Sequence, residues 1–285
     1  MTLLRHELET RLAGWQQDLS PGWRTFFGDT APDFAAFGEQ FTFPSEFPMI
    51  PPRKGTALPG SPAGAHIFRA FDGIEPDAVR VIVIGQDPYP NIARATGRAF
   101  EDGALVDWAS SVAPSLKSLA QSALALRLNQ PDLAENMAAW SKVRSRITDG
   151  SLSLETVKVW FDRLQQANGV LFVNAGWTLT RFSQPTSLEQ KAHVAMWKPL
   201  MNRLMHGLTA RNNRATAFLL LGGFAKDLFD KSGVESAARA AGRWDTAARR
   251  VDHPHPNAVS YFAKPNPLQR INAALAAMGA PQVDW

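Results

Sequence analysis

The sequence predicts an α/β three-layer sandwich: a central, mainly parallel four-stranded sheet flanked by helices. Three observations predict it. Short apolar or β-branched runs stand at "VIVI" (81–84), "VLFV" (170–173), "AFLLL" (217–221) and, more weakly, "RRV" (249–251). The first three do not alternate with polar residues, as expected of strands buried on both faces. Helical patterns lie between the runs, clearest at 114–128 and 188–208. Strands that alternate with helices build a sheet covered on both sides.

The elements follow in chain order. Leu4, Leu8, Leu12, Trp15 and Leu19 recur at steps of three and four, which makes one helical face up to residue 19. Ser20-Pro21 ends that helix or starts a new element. Residues 44–64 hold six prolines and three glycines and read as loop. We expect residues 1–66 to be a helical arm and proline-rich loop, packed on the body formed by 67–285, with one globular domain overall. Asn266 caps the last helix and Pro267 takes its first position.

Composition narrows the function. The 285 residues suffice for one large domain with an ample core. No run approaches 18 apolar residues, so no membrane-spanning helix is expected. The first fifteen residues carry acids and no cleavage pattern, so no signal peptide is expected either. The chain has no cysteine, which removes disulfides, thiolate nucleophiles and thiolate metal sites. A cytoplasmic monomer is the expectation. The net charge of +4 suits a polyanionic partner without requiring one. There is no GxxxxGK loop and no GxGxxG turn after a strand.

In a parallel sheet, ligands bind beyond the carboxyl ends of the strands. The segments there are "GQDPYP" (85–90), "NAGWTLT" (174–180), "GGFAKD" (222–227) and "DHPHPN" (252–257). They place Asp87, Asn174 and His253 in one cleft. Each residue alone is most often a turn or structural residue. Three polar groups at three strand ends carry the case.

These motifs resemble the uracil-DNA glycosylase superfamily, most closely its uracil-N-glycosylase branch. "GQDPYP" is similar to the family's GQDPYH, and Gly97 and Phe100 fit its following glycine–phenylalanine segment. "APSL" (113–116) matches its serine loop, "LFVNAGWTLT" its second strand, and "HPHPN" (253–257) its His-Pro-Ser-Pro-Leu loop. The matches run in family order from about residue 67 to the end. The resemblance implies an enzyme that flips uracil out of DNA and hydrolyses its N-glycosidic bond without cofactor or metal. It implies Asp87 as the carboxylate at the sugar and His253 as the donor to uracil O2. Gln86, Tyr89, Phe100 and Asn174 would bind the base: Gln86 through its backbone, Tyr89 against C5, Phe100 by stacking, Asn174 at the polar edge. Pro114, Ser115, His255, Pro256 and Asn257 would meet DNA, single- or double-stranded, and the abasic product. Ser115 also reads as a helix N-cap.

The sequence departs from the family at five places, one of them His255, which replaces the serine of the His-Pro-Ser-Pro loop. Pro90 replaces the histidine that helps hold water, which puts water placement in question. Asn257 replaces the leucine wedge. Gly223 stands where many members have serine. Residues 129–168 look longer than usual and carry Lys142, Arg144 and Arg146, either as a solvated face or as an added DNA- or partner-binding surface. A protein that binds uracil-containing or abasic DNA and turns over slowly is the competing reading.

Overall fold

The structure, a computed structural model, describes residues 2–43, 48–180 and 187–285. The start of the proline-rich loop, 44–47, lies outside them. Strands β1 (Thr2–Leu3) and β2 (Thr42–Phe43) form a small antiparallel pair. The central sheet contains β3 (Val81–Gly85), β4 (Val170–Asn174), β5 (Thr216–Leu221) and β6 (Ala248–His253) in the order β4-β3-β5-β6. All three pairings are parallel. The chain first steps from β3 to one side and then returns to the other. The carboxyl end of β3 is therefore the switch point at which a crevice opens.

Side chains alternate between two cores. Val81, Val83, Phe172 and Leu219 face one, with α3 (Pro114–Arg127), α4 (Trp140–Thr148), α5 (Val157–Gln166) and α9 (Pro267–Ala277). Ile82, Ile84, Leu171 and Phe218 face the other, with α1 (Leu4–Leu12), α2 (Pro21–Phe27), α6 (Ser187–Ala210), α7 (Gly223–Ser232) and α8 (Val234–Ala240). Both faces are thus dry at β3, β4 and β5, which is why those three strands read as unbroken apolar runs; edge strand β6 is only partly covered.

The N-terminal segment belongs to the second core. Leu4, Leu8, Leu12, Trp15 and Leu19 are all buried there. Each such side chain stabilises the fold by about 1.5–3 kcal/mol. The expected single helix is nevertheless broken. Gly14 takes φ +66, the helix stops at Leu12, and Trp15–Asp18 forms a 3-10 turn. The same apolar residues reach the core through two short pieces. Ser20 then caps α2 at Trp23 N–H, with Pro21 in the first turn. Arg53 from the proline-rich loop binds Asp18 and donates to the carbonyls of Arg11 and Ala13 at 3.0 and 2.9 Å, tying loop to arm.

The 129–168 insertion is helical and packed. Trp140 and Val143 of α4 are buried. Lys142 pairs with Asp132 at 3.2 Å and Arg146 donates to Gln130 at 2.6 Å, so both cations are engaged within the insertion itself. In α9 the Asn266 side chain accepts from Leu268 N–H at 3.0 Å, the cap read from the sequence.

Candidate active site

The β3–β4 pairing continues past the sheet. Ala175 and Gly176 N–H donate to the carbonyls of Gly85 and Gln86, both at 2.9 Å. The chain then turns at Asp87 over the strand ends. Gly85 has to be glycine, because a Cβ there would collide with the Asn174 side-chain oxygen and with Ala99. The resulting cleft of about 240 Å³ is lined by Gln86, Asp87, Tyr89, Pro90, Phe100, Ser115, Asn174 and His255, among others.

Asp87 is half-buried. Gln190 Nε2 donates to its Oδ2 at 3.0 Å. Burial pushes the carboxyl up to about 6, and the Gln190 hydrogen bond pulls the other way. Asn174 closes β4 opposite Gly85 and is only 4% exposed. Among the described residues no protein group hydrogen-bonds its side-chain amide. Its amide therefore opens on the cleft with its donor and acceptor available to a ligand.

Two aromatic rings flank these groups. Tyr89 is half-buried, and the Arg94 guanidinium sits 4.4 Å above its ring. Arg94 is itself held by Asp102 at 2.7 Å. Phe100 adopts φ +67, a left-handed conformation that is unusual for a bulky residue. Gly97 turns at φ +103 and presses so close to the His66 carbonyl that a Cβ could not fit. This strained bend brings Phe100 to the cleft wall.

The loop after β6 is pinned to α3. Ser115 Oγ donates to Asn257 Oδ1 at 3.0 Å, and Ser118 Oγ donates to the Pro256 carbonyl at 2.7 Å. Ser115 is not the helix cap: Ala113 holds that position and Pro114 opens the helix, which frees the Ser115 hydroxyl to reach across. Pro114, His255 and Asn257 are exposed, whereas Pro256 is buried.

The two histidines of this loop differ. His253 is 5% exposed and lines an adjoining cleft with Lys226, Lys264 and Arg270, not the cleft of Asp87. Its Nε2–H donates to the Tyr261 carbonyl at 2.9 Å, leaving Nδ1 buried and unpartnered. Burial holds its pKa down at about 4, so the ring is neutral at pH 7. His255 lines the Asp87 cleft instead. Its Nδ1 accepts from Asn257 N–H at 3.1 Å, so the neutral ring carries its proton on Nε2 as a donor.

No family model matches the chain. Curated proteins do. A uracil-DNA glycosylase of Mycolicibacterium vanbaalenii is 29% identical over 225 residues, covering 79% of this chain and 80% of its own length. That of Lactococcus lactis subsp. lactis is 25% identical over 226 residues, covering 79% and 83%. In sequence the chain is thus similar to uracil-DNA glycosylases over about four fifths of its length. Solved structures agree on the fold. The UNG of Nitratifractor salsuginis superposes with a TM-score of 0.56 at 20% identity, covering 94% of this chain and 90% of that one. A mimivirus UNG variant in complex with UGI gives 0.58 at 14% identity, covering 95% and 90%.

In this site, sequence reasoning missed Gln190, Ser118 and Arg94. Each acts on the motif residues from a distant element or from an unremarkable polar position. Only Arg94, five residues from Tyr89, had a local signal.

Proposed function

We propose that the protein is a monofunctional uracil-DNA glycosylase, which hydrolyses the N-glycosidic bond of uracil in DNA and leaves an abasic site for base excision repair. It acts on single- and double-stranded DNA, as a monomer, without cofactor or metal. The observation that carries this reading is the pairing, in one cleft at the sheet's switch point, of a half-buried carboxylate, Asp87, with the amide of Asn174, which no side chain among the described residues engages.

The chemistry follows from those groups. The target base leaves the stack and enters the cleft. Asn174 donates to uracil O4 and accepts from N3–H; cytosine presents the reverse pattern. Tyr89 stands against C5 and Phe100 against the ring face. The bond from the sugar to N1 breaks, and its electron pair goes to the base. Ionised Asp87 stabilises the cationic sugar and takes the proton of the water that adds to it. His253 donates to O2 of the departing base. This requires His253 to turn out of the adjoining cleft toward the base and to release the Tyr261 carbonyl, at a cost of about 1–3 kcal/mol for the buried acceptor left unpaired. The His255 Nε2–H and Ser115 meet DNA at the mouth, beside the N-terminus of α3.

The test is cleavage of labelled uracil-containing oligonucleotides, single-stranded and duplex, with EDTA present and alkali to break abasic sites. Cleavage is expected in both. A persistent gel shift without turnover would favour the binding-protein reading instead.

Two departures from the family give further expectations. Pro90 is exposed at the cleft and has no hydrogen-bonding side chain. Pro90→His is expected to speed single-turnover cleavage several-fold; an equal or lower rate would show that water is placed without that position. Asn257 is exposed and tied to Ser115. Asn257→Leu is expected to raise cleavage of a U·A duplex relative to single strands, since an apolar side chain fills the gap better. An unchanged duplex-to-single-strand ratio would count against a wedge at this position.

A further inference from the structure

We propose that Gln190 is a positioning residue for Asp87, fixing from α6 which carboxylate oxygen faces the reacting sugar. This rests on the reading of Asp87 given above and deepens it. Gln190 Nε2 donates to Oδ2, and no other described residue hydrogen-bonds this carboxylate. Oδ1 is therefore the oxygen left for sugar and water. A carboxylate on a turn can rotate; a single donor from a helix removes that freedom.

The helix that carries Gln190 is fixed by a buried chain of hydrogen bonds. Trp197 Nε1–H donates to Thr178 Oγ1 at 2.9 Å, and Thr178 Oγ1 meets His193 Nδ1 at 2.9 Å. His193 Nε2 meets Thr180 Oγ1 at 3.2 Å, and Thr180 donates to Glu189 at 2.8 Å. With a neutral imidazole every donor in this chain finds an acceptor. His193 is fully buried and held neutral, its pKa pushed down to about 3, so the chain keeps one arrangement through the pH range in which Asp87 titrates. Glu189 and His193 bracket Gln190 on the first turns of α6. The segment after β4 thus sets both Asn174 and, through α6, the orientation of Asp87.

The electrostatic surroundings leave Gln190 unusual weight. Among the described residues, the ionisable groups lining the cleft with Asp87 are Tyr89 from its own turn, Arg98 from the 91–100 loop and His255 from the loop after β6. Arg98 is spent on Glu101 at 3.4 Å and Asp162 at 2.6 Å, and His255 is neutral. From β4 comes only the neutral Asn174. The Gln190 amide is the one group that favours the ionised carboxylate against burial.

The experiment compares wild type, Gln190→Leu and Gln190→Glu by single-turnover uracil excision across pH and by carbon NMR titration of Asp87, with thermal melts as the folding control. Gln190→Leu is expected to slow cleavage about ten-fold and move the acid limb to higher pH. Gln190→Glu is expected to move it further, because a second carboxylate opposes ionisation. The NMR midpoint should move in the same order. A midpoint and acid limb that match wild type in both variants would overturn the positioning role. Absence of excision by the wild type would instead sink the glycosylase reading, while the NMR titration would still decide whether Gln190 controls Asp87.

Discussion

Asp87→Asn is expected to lower single-turnover uracil excision by about 10²–10⁴-fold, the range typical of a lost acid–base group, and to make the protein more stable at neutral pH. Both effects have one cause. Burial raises the Asp87 carboxyl from 3.8 to about 6. Its folded value lies above that of the unfolded chain, so the folded state binds the proton more tightly. The resulting stability is present below about pH 4 and is lost as pH rises through about 6. Above that, ionised Asp87 weakens the fold. Neutral asparagine removes this penalty, and after allowing for solvent screening the gain is on the order of 1–2 kcal/mol at pH 7.5. At pH 4 the two proteins should melt alike. Excision by the wild type should rise between pH 5 and 7 with a midpoint near 6. Equal melting temperatures at both pH values would mean that the carboxyl is not desolvated as described.

Asn174→Leu is expected to cost about 10²–10⁴-fold in kcat/KM on uracil. The substitution keeps the volume but leaves two polar atoms of the base unpaired in a dry cleft, at about 1–3 kcal/mol each. No compensating gain on cytosine or thymine should appear, because leucine offers neither of them a donor or an acceptor. Competition assays with uracil-, cytosine- and thymine-containing oligonucleotides check this. A loss below ten-fold on uracil would assign base recognition elsewhere.

The sheet was legible because its strands are buried on both faces, and apolar runs such as "VIVI" have no other economical use. The switch point followed from strand order, and with it the loops that meet at one edge. The break after Leu12 was harder to see: the apolar spacing persists through Gly14, and periodicity does not register a change of helix type. His253 was expected beside Asp87, but its ring turns toward the Tyr261 carbonyl, a choice that depends on an atom eight residues away. Gln190 was illegible for a different reason. It lies 103 residues from Asp87 and sits among polar residues that resemble any solvated helix face. Only the folded chain brings the two together.

The seam between α3 and the loop after β6 has a kinetic meaning. Ser115 and Ser118 hold that loop in place in the free protein. Its conformational freedom is surrendered during folding, and on the proposed function DNA would meet a surface that needs little further ordering. Elsewhere such ordering costs about 0.5–1.5 kcal/mol for each immobilised side chain. Encounter with DNA would then be governed by charge and collision, and the slow event would be the departure of the base from its helix, not the rearrangement of the protein around it.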